Sequence, residues 1–375
     1  MAPMISFQQL PGLRATGPQR SMRGFSMVEI MVAVAIALIG VIVIFQVMSI
    51  WEERKRTTSS GSDAQVAGTI AMFNLDRDLR LAGIGIGLSG QLGCLVQAYD
   101  TGRPTPAFTF NLYPLRIVDG ASGAPDEIQV FYGSSATMAA SQQFTTSTAI
   151  SKKTIGRGGF NKGDLVLVTN AVSSAAADCA LVEITGNTNA DALSVDHGTG
   201  AYVNYLGQNV TARYNNPAGT GVTFSSGFLY NLGPANLTAG TTVTPPRWNT
   251  WAIQSNNTLA WNDSLHATSW FEVSEGIVDL QAEYGVDANN DNMIADAEWT
   301  TTTPTDWTKV RAVRVGLLAR SQQYEKLAVT ASAPTWFGGA FVMANLADGT
   351  SWQNYRYRVY EKVIPLRNII WGTAP

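Results

Sequence analysis

The hydrophobic pattern divides the chain into two unlike parts. Residues 25–51 read FSMVEIMVAVAIALIGVIVIFQVMSIW, with Glu29 as the only charge. The 22 uncharged residues from Ile30 to Trp51 would extend about 33 Å as a helix, enough to cross a bilayer core of roughly 30 Å. Beyond it, Val66, Ile70, Phe73 and Leu81 fall at spacings of 4, 3 and 8. They predict that the helix continues over 52–84 and buries that stripe. Thr57–Ser62 (TTSSGS) is poor helix sequence and predicts a loosened turn, and Gly83, Gly85 and Gly87 are expected to end the helix.

Past residue 85 the pattern changes to short apolar runs separated by turn residues. Strands are expected at Glu127–Tyr132, Asp164–Thr169, Ala180–Thr185, Ile277–Tyr284, Val310–Ala319 and Tyr355–Val363. In the last, Tyr355, Tyr357 and Val359 alternate with Arg356 and Arg358, as in a half-buried strand. Residues 134–162 and 186–265 are rich in Ser, Thr, Asn and Gly and read as long loops or strands too weak to place. The fold class is α+β: a long N-terminal helix, transmembrane in its first half, packed on a large, mostly antiparallel β domain over 85–375.

Composition narrows the chemistry. Charged residues are 14% of the 375 and the formal net charge is −3, so no global field draws in nucleic acid. Two His and two Cys cannot build a zinc ribbon or a disulfide-dense scaffold, and no convergent set of titratable residues suggests an enzyme. Residues 1–24 carry Arg14, Arg20 and Arg23 and no acid. Retained in the cytoplasm, they would place the bulk of the chain outside it. Arg54, Lys55 and Arg56 pull the other way, offset in part by Glu52 and Glu53. Glu29 near the end of an apolar helix costs ~1–3 kcal/mol, below the central penalty of about 2.5–3.5. It either snorkels to the surface or pairs with a cation inside a helix assembly.

Arg23-Gly24-Phe25-Ser26-Met27-Val28-Glu29 resembles the type III signal of type IV prepilins. The resemblance implies that a prepilin peptidase removes a 1–24 leader after Gly24 and N-methylates Phe25. It also implies that Glu29, at the fifth mature position, meets the freed terminal amine of a neighbouring subunit in the fibre. The Pro common near the twenty-second mature position is replaced by Gln46, so no kink is expected there. NLDRDLRLAGIG, SEGIVDLQAEYGVD, VRAVRVGLLARS and YRYRVYEKVIPLRN are similar to segments of the large minor pilins of the PilW type. The family implies a pilin lollipop: a 25–51 transmembrane and assembly helix, a 52–84 continuation packing on the head, and an extracytoplasmic β-rich domain. It implies a minor pilin that helps initiate pilus assembly and sits at or near the tip, supporting adhesion or twitching. Expected partners are other minor pilins, the major pilin, the prepilin peptidase, the inner-membrane assembly platform and the lipid bilayer. The expected location is the inner membrane with the head in the periplasm, then the fibre. A tip adhesin and a type II secretion pseudopilin are the alternatives.

Outside the cytoplasm, Cys94 and Cys179 could form one disulfide. Closing a loop of 85 residues would be worth roughly 4–5 kcal/mol in the chain-entropy model; two free buried thiols are the alternative. Residues 271–299 hold eight acids and no Lys or Arg. Within them, 287–298 matches a twelve-residue calcium loop, with Asp287, Asn289, Asp291, the Met293 carbonyl and Glu298 as ligands for Ca²⁺. Ile294 would pin the loop to the core. Asn292 replaces the usual Gly and tolerates the left-handed backbone better than most residues. A polar hairpin tip with a chance match is the competing reading.

Three weaker constellations remain. Asp196-His197 lacks a nucleophile elbow and reads as a turn. Lys152, Lys153, Arg157 and Lys162 surround GRGGF and read as a solvated face rather than a DNA contact. Arg356, Arg358, Lys362 and Arg367 are expected to complement the acidic 271–299 surface or a partner; Asn262–Trp270 and the ten Trp overall are expected to pack in the core, with carbohydrate- or surface-binding patches as the alternative.

Overall fold

The structure, a computed structural model, describes residues 24–86, 92–136, 141–156, 159–171, 179–186, 193–235 and 244–372. Almost all of the leader (1–23), Gly87, Arg157 and parts of the 134–162 and 186–265 stretches lie outside the described residues. The chain divides into two compact units, Met1–Thr57 and Thr58–Pro375.

Within the first unit, the described residues from Met27 onward are helical and contain no proline. Ser26 precedes the helix, and its N–H donates to Glu29 Oε2 at 3.4 Å. Glu29 thus occupies the first turn, where a carboxylate opposes the positive end of the helix dipole. The helical stretch Met27–Glu52 has none of its most apolar window buried.

The helix is continuous to Leu79 through Thr57–Ser62, where a loosened turn is expected from composition. Ser, Thr and Gly each cost up to about 1 kcal/mol relative to Ala in a helix. An unbroken helix on both sides offsets that, because propagation is far easier than nucleation.

In the second unit the helix packs on β structure, but not by the stripe expected from the sequence. Val66, Ile70 and Phe73 are exposed, Phe73 by 67%. The buried face comprises Ala64, Gly68, Ala71, Met72, Leu75, Asp78, Leu79 and Ala82. At 100° per residue the two sets lie on opposite sides of the helix. The small residues win because they permit close approach. A Cβ at Gly68 would run into the Tyr360 ring, and the Tyr360 hydroxyl donates to the Gln65 carbonyl at 2.9 Å. Ser274 Oγ likewise donates to the Ala67 carbonyl at 2.8 Å. Gly83, at φ +81°, turns the chain out of the helix as a left-handed glycine does. Asn368 Nδ2 donates to the Arg80 and Ala82 carbonyls at the same end.

Two sheets share a core with this helix segment, and a third, larger sheet adjoins them. A five-stranded sheet runs in the order Phe271–Glu275, Thr258–Asp263, Arg247–Ile253, Glu127–Tyr132, Leu115–Val118. A four-stranded sheet follows the order Trp299–Thr300, Ile277–Val286, Val310–Arg320, Tyr357–Pro365. Together with helix residues 64–82 they enclose one hydrophobic core, including Leu75, Leu79, Ile128, Trp251, Leu280, Tyr284, Val313 and Ile364. The third sheet has eight strands, ordered Ala107–Asn111, Leu95–Tyr99, Cys179–Glu183, Asp164–Asn170, Gly227–Pro234, Gln142–Ser147, Ser151–Thr154, Ser194–Asp196. It builds cores of its own around Phe131, Tyr214 and Leu232, and around Phe144, Val166 and Phe224. Within the named strands, pairing is antiparallel except between Leu95–Tyr99 and Cys179–Glu183. The fold is therefore α+β with an antiparallel-rich β domain. The Ser/Thr/Asn-rich regions 134–162 and 186–265 also carry strands, from Gln142–Ser147 to Thr258–Asp263. Their alternation is obscured because both strand faces hold short polar side chains.

One buried charge ties helix to sheet. Asp78 accepts from the Tyr132 hydroxyl at 2.8 Å, Asn249 Nδ2 at 3.0 Å and Trp251 Nε1 at 2.6 Å. Burial pushes its carboxyl above the usual carboxylate range, and the three donors pull it back. Removing the carboxylate strands two ring donors and an amide, each costing ~1–3 kcal/mol if left unsatisfied. Asp78→Ala is expected to destabilise the β domain by about 3 kcal/mol, read as a melting temperature several degrees lower by calorimetry. Asp76→Ala, which removes half-exposed pairs with Arg80 and Lys362, should change it by under about 1 kcal/mol.

Candidate functional site

The first site is the apolar helix itself. Phe25, Met27, Val28 and the Val, Ile, Leu and Phe side chains up to Trp51 are all exposed. Fourteen Val, Ile, Leu or Phe residues lie between Met27 and Glu52. At about 0.3–0.6 kcal/mol each for insertion, they favour the bilayer by roughly 4–8 kcal/mol. That exceeds the ~1–3 kcal/mol cost of a Glu near the end of the span, so Glu29 does not prevent membrane anchoring. In the second unit, Val66, Ile70 and Phe73 form an exposed apolar stripe of their own on the helix face opposite the sheets.

The second is the 287–298 loop, between Ile277–Val286 and Trp299–Thr300. Asp287 is fully buried. It accepts from the Asp291 and Asn292 N–H groups at 3.0 and 3.1 Å and from Arg311 Nε at 3.3 Å. Asp291 Oδ1 accepts from the Met293 N–H at 2.8 Å, and its Oδ2 from Asn289 Nδ2 at 2.9 Å. Glu298 accepts from the Ala288 and Ala295 N–H groups at 2.9 and 2.8 Å. Asn290 and Asn292 have φ of +62° and +63°, so Asn292 adopts the backbone that Gly usually supplies there. Ile294 is half-buried over Gly285, where a Cβ would meet it. All three carboxylates are thus turned to N–H groups. Among the described residues, no group of three or more His, Cys, Asp or Glu side chains is arranged to hold a metal.

Residues 19–45 match the family model of the prokaryotic N-terminal methylation motif, which contains Gly24, Phe25 and Glu29. Residues 257–368 match that of the type IV pilus-assembly protein W. These two matches support a PilW-type pilin with the prepilin signal. No curated protein and no solved structure matches it. The PilW match begins at Asn257 and spans the Thr258–Asp263 and Phe271–Glu275 strands, all four strands of the four-stranded sheet and the 287–298 loop, and includes Leu366. The matched region therefore contains much of the surface on which helix residues 64–82 pack. Both matches point to a structural, membrane-anchored component of a type IV pilus system rather than to an enzyme.

Cys94 and Cys179 form a disulfide, with Cα atoms 6.1 Å apart. It clasps the parallel join of the eight-stranded sheet, where Val96 faces Cys179. The 85-residue separation places it in the range where cross-linking constrains the unfolded chain most.

The basic residues near the C-terminus do not face the acidic run as expected. Arg356 pairs with Glu325 at 3.2 Å and Lys362 with Asp76 at 3.1 Å. The acidic run draws instead on its neighbouring strand: Arg311 pairs with Asp287 at 3.3 Å, and Arg314 with Glu283. Strand register decides this, since Glu283 lies opposite Arg314. The basic cluster around GRGGF is also not one solvated face. Lys152 is buried, and its Nζ lies 2.9 Å from His197 Nε2. Burial pushes Lys152 down to about 8. Burial, and then the charge of Lys152, take His197 down to about 3. Asp196, beside it in sequence, accepts from Ser194 Oγ at 3.1 Å. The Asp-His pair is therefore split between two contacts. In the Trp-rich stretch, Trp261 is half-buried and stacks on Phe271 at 4.9 Å, while Trp270 is 40% exposed.

Sequence reasoning missed Asp78. NLDRDLR holds two Asp on one helix, and nothing in the pattern separates the half-buried, ion-paired Asp76 from the buried Asp78. A polar residue falling in phase with Ala71, Leu75 and Ala82 was the available signal.

Proposed function

We propose that this chain is a minor pilin that primes type IV pilus assembly and takes a position at or near the fibre tip. A prepilin peptidase would cut between Gly24 and Phe25 and methylate Phe25. The observation carrying this reading is the long apolar helix, whose most apolar window is wholly unburied among the described residues, together with the outward Val66, Ile70 and Phe73 of the second unit. A surface of that length is complementary to lipid first and to equivalent helices of other pilins afterwards. Glu29 then meets the freed α-amine of a neighbour; such a pair offsets two desolvation costs and fixes register more than it adds net stability. The Cys94–Cys179 disulfide supports a periplasmic head, reached by holding the Arg-rich leader in the cytoplasm. The family match over 257–368 favours pilus assembly over a type II secretion pseudopilin. Adhesion and twitching would follow from a large β domain carried on the fibre, in company with other minor pilins, the major pilin and the assembly platform.

We also propose that the 287–298 loop takes Ca²⁺ through Asp287, Asn289, Asp291, the Met293 carbonyl and Glu298. The left-handed Asn292 and the Ile294 contact support it. Binding would require Glu298 to release the Ala288 and Ala295 N–H groups, and Arg311 to share Asp287. The cation would rigidify the loop rather than take part in chemistry.

Two tests follow. Glu29→Ala is expected to leave membrane insertion at the wild-type level while reducing the subunit's recovery in sheared fibres at least fivefold. Phe73→Asp should reduce it comparably through the outward face; equal recovery of both variants and wild type would remove the assembly reading. For calcium, titration of the full chain in a neutral detergent should raise its melting temperature. The Asp287→Ala/Asp291→Ala double variant should abolish the rise, and an absence of both heat and shift in the wild type would exclude the site.

A further inference from the structure

A cavity of about 700 Å³ opens on the outer face of the four-stranded sheet. Its floor is Val278 and Asp279 from Ile277–Val286, Leu318 and Arg320 from Val310–Arg320, and Tyr357 from the edge strand. One wall is the Ala121–Pro125 turn, and another the extended segment 342–348. Backbone bonds hold that segment at its ends, from the Phe341 N–H to the Pro334 carbonyl and from the Leu346 N–H to the Thr350 carbonyl. The cavity lies on the face opposite the shared core, because Ile277, Leu280, Ala282 and Tyr284 point inward.

The charge on its floor is uncompensated. Asp279 is only 5% exposed, and its Oδ1 accepts from Gln281 Nε2 at 2.9 Å. Among the described residues it makes no ion pair. Behind it lies a second buried carboxylate, Asp126, whose oxygens accept from the Gly120 and Ala282 N–H groups at 2.8 Å. The negative charges of Asp119 and Asp279 both act on Asp126. Burial pushes Asp279 up to about 6, despite its hydrogen bonds. A buried carboxylate without a cation is costly, and a fold normally hides or pairs it. Here it borders open space instead.

The other polar wall has the opposite character. Arg320 lies 4.7 Å over the Tyr355 ring and also engages Tyr357. It makes no ion pair among the described residues. Its guanidinium is a donor fork fixed by aromatic contacts. An exposed carboxylate, Asp348, also lines the cavity within reach of the Arg320 charge, together with Ser255 and Asn257; the aliphatic part of the lining is Val278, Leu318, Val342 and Leu346.

We propose that this cavity binds an organic cation: an ammonium or guanidinium group on a short apolar stem, seated on Asp279, with an oxygen acceptor at the far end facing Arg320. A lysine or arginine side chain with its own backbone carbonyl has this chemistry, as does a free derivative of either amino acid. The site depends on the four-stranded sheet and its covering turn, not on the pilus reading; it stands or falls separately from membrane anchoring and processing.

The test is calorimetric titration of the full chain in an uncharged detergent. The probes are Nα-acetyl-lysine amide, Nα-acetyl-arginine amide, the neutral Nε-acetylated lysine analogue, and an acetyl-Gly-Lys-Gly amide peptide. The cationic amides should bind with millimolar or tighter affinity, and the neutral analogue at least tenfold more weakly. Peptide binding well above that of the free amides would assign the ligand to a partner chain; equal binding would assign it to a small molecule. Asp279→Asn should lower cation affinity at least tenfold. Ala344→Trp, which fills the cavity but leaves Asp279 in place, should do the same with an unchanged melting temperature. Failure of every cationic probe to bind would overturn the proposal. So would equal binding of the neutral analogue, or undiminished binding by both variants.

Discussion

The governing constraint is an apolar helix that none of the described residues covers. From Met27 to Glu52 the protein offers a surface that water penalises and that no side chain of the described structure shields. Any stable state must therefore supply another apolar medium. A bilayer satisfies the span, and an assembly of like helices satisfies it equally. Glu29 separates the two environments, because a carboxylate in the first turn is tolerable near the membrane surface but calls for a cation once helices replace water around it. Anchoring and assembly can thus use one segment in two states, with a single residue biased toward the second.

The same helix solves a different problem further along. Over residues 64–79 it must hold a β domain against two of its sheets while leaving bulky apolar residues outward. Small residues on the inward face let Tyr360 and the sheets come close, and Asp78 then links the helix to Tyr132, Asn249 and Trp251 from two neighbouring strands. A buried carboxylate adds modest net stability but has few alternative arrangements that satisfy it. It fixes rotation of the helix about its axis, and so fixes which side chains face away from the sheets. Val66, Ile70 and Phe73 are exposed because Asp78 and Gly68 are not.

The sequence made some of this readable and concealed the rest for definite reasons. The span was legible because 22 uncharged residues have one physical meaning, and Gly83 marked the helix end because its left-handed backbone suits glycine. The strands at Glu127–Tyr132, Ile277–Val286 and Val310–Arg320 were legible from their apolar alternation, the first with its bounds intact. The inward face of the helix was misread because size was taken for burial, whereas close packing on the Tyr360 ring selected Ala and Gly. Strands among the Ser, Thr and Asn residues were hidden because their pattern lacks contrast. Pairing of Arg314 with Glu283, and of Lys362 with Asp76, depends on strand register and helix rotation, neither of which linear charge spacing encodes. The cavity beside Asp279 is likewise assembled from segments more than 200 residues apart.

The most direct measurement of the central claim is mass spectrometry of the N-terminal peptide of the protein isolated from membranes and from fibres. The account requires the same terminus in both fractions: Phe25 carrying one methyl group on its amine, with the following residues intact through Glu29. A membrane form beginning at Met1, or at any residue other than Phe25, would contradict it, because the amine that Glu29 is held to meet would then not exist at that place.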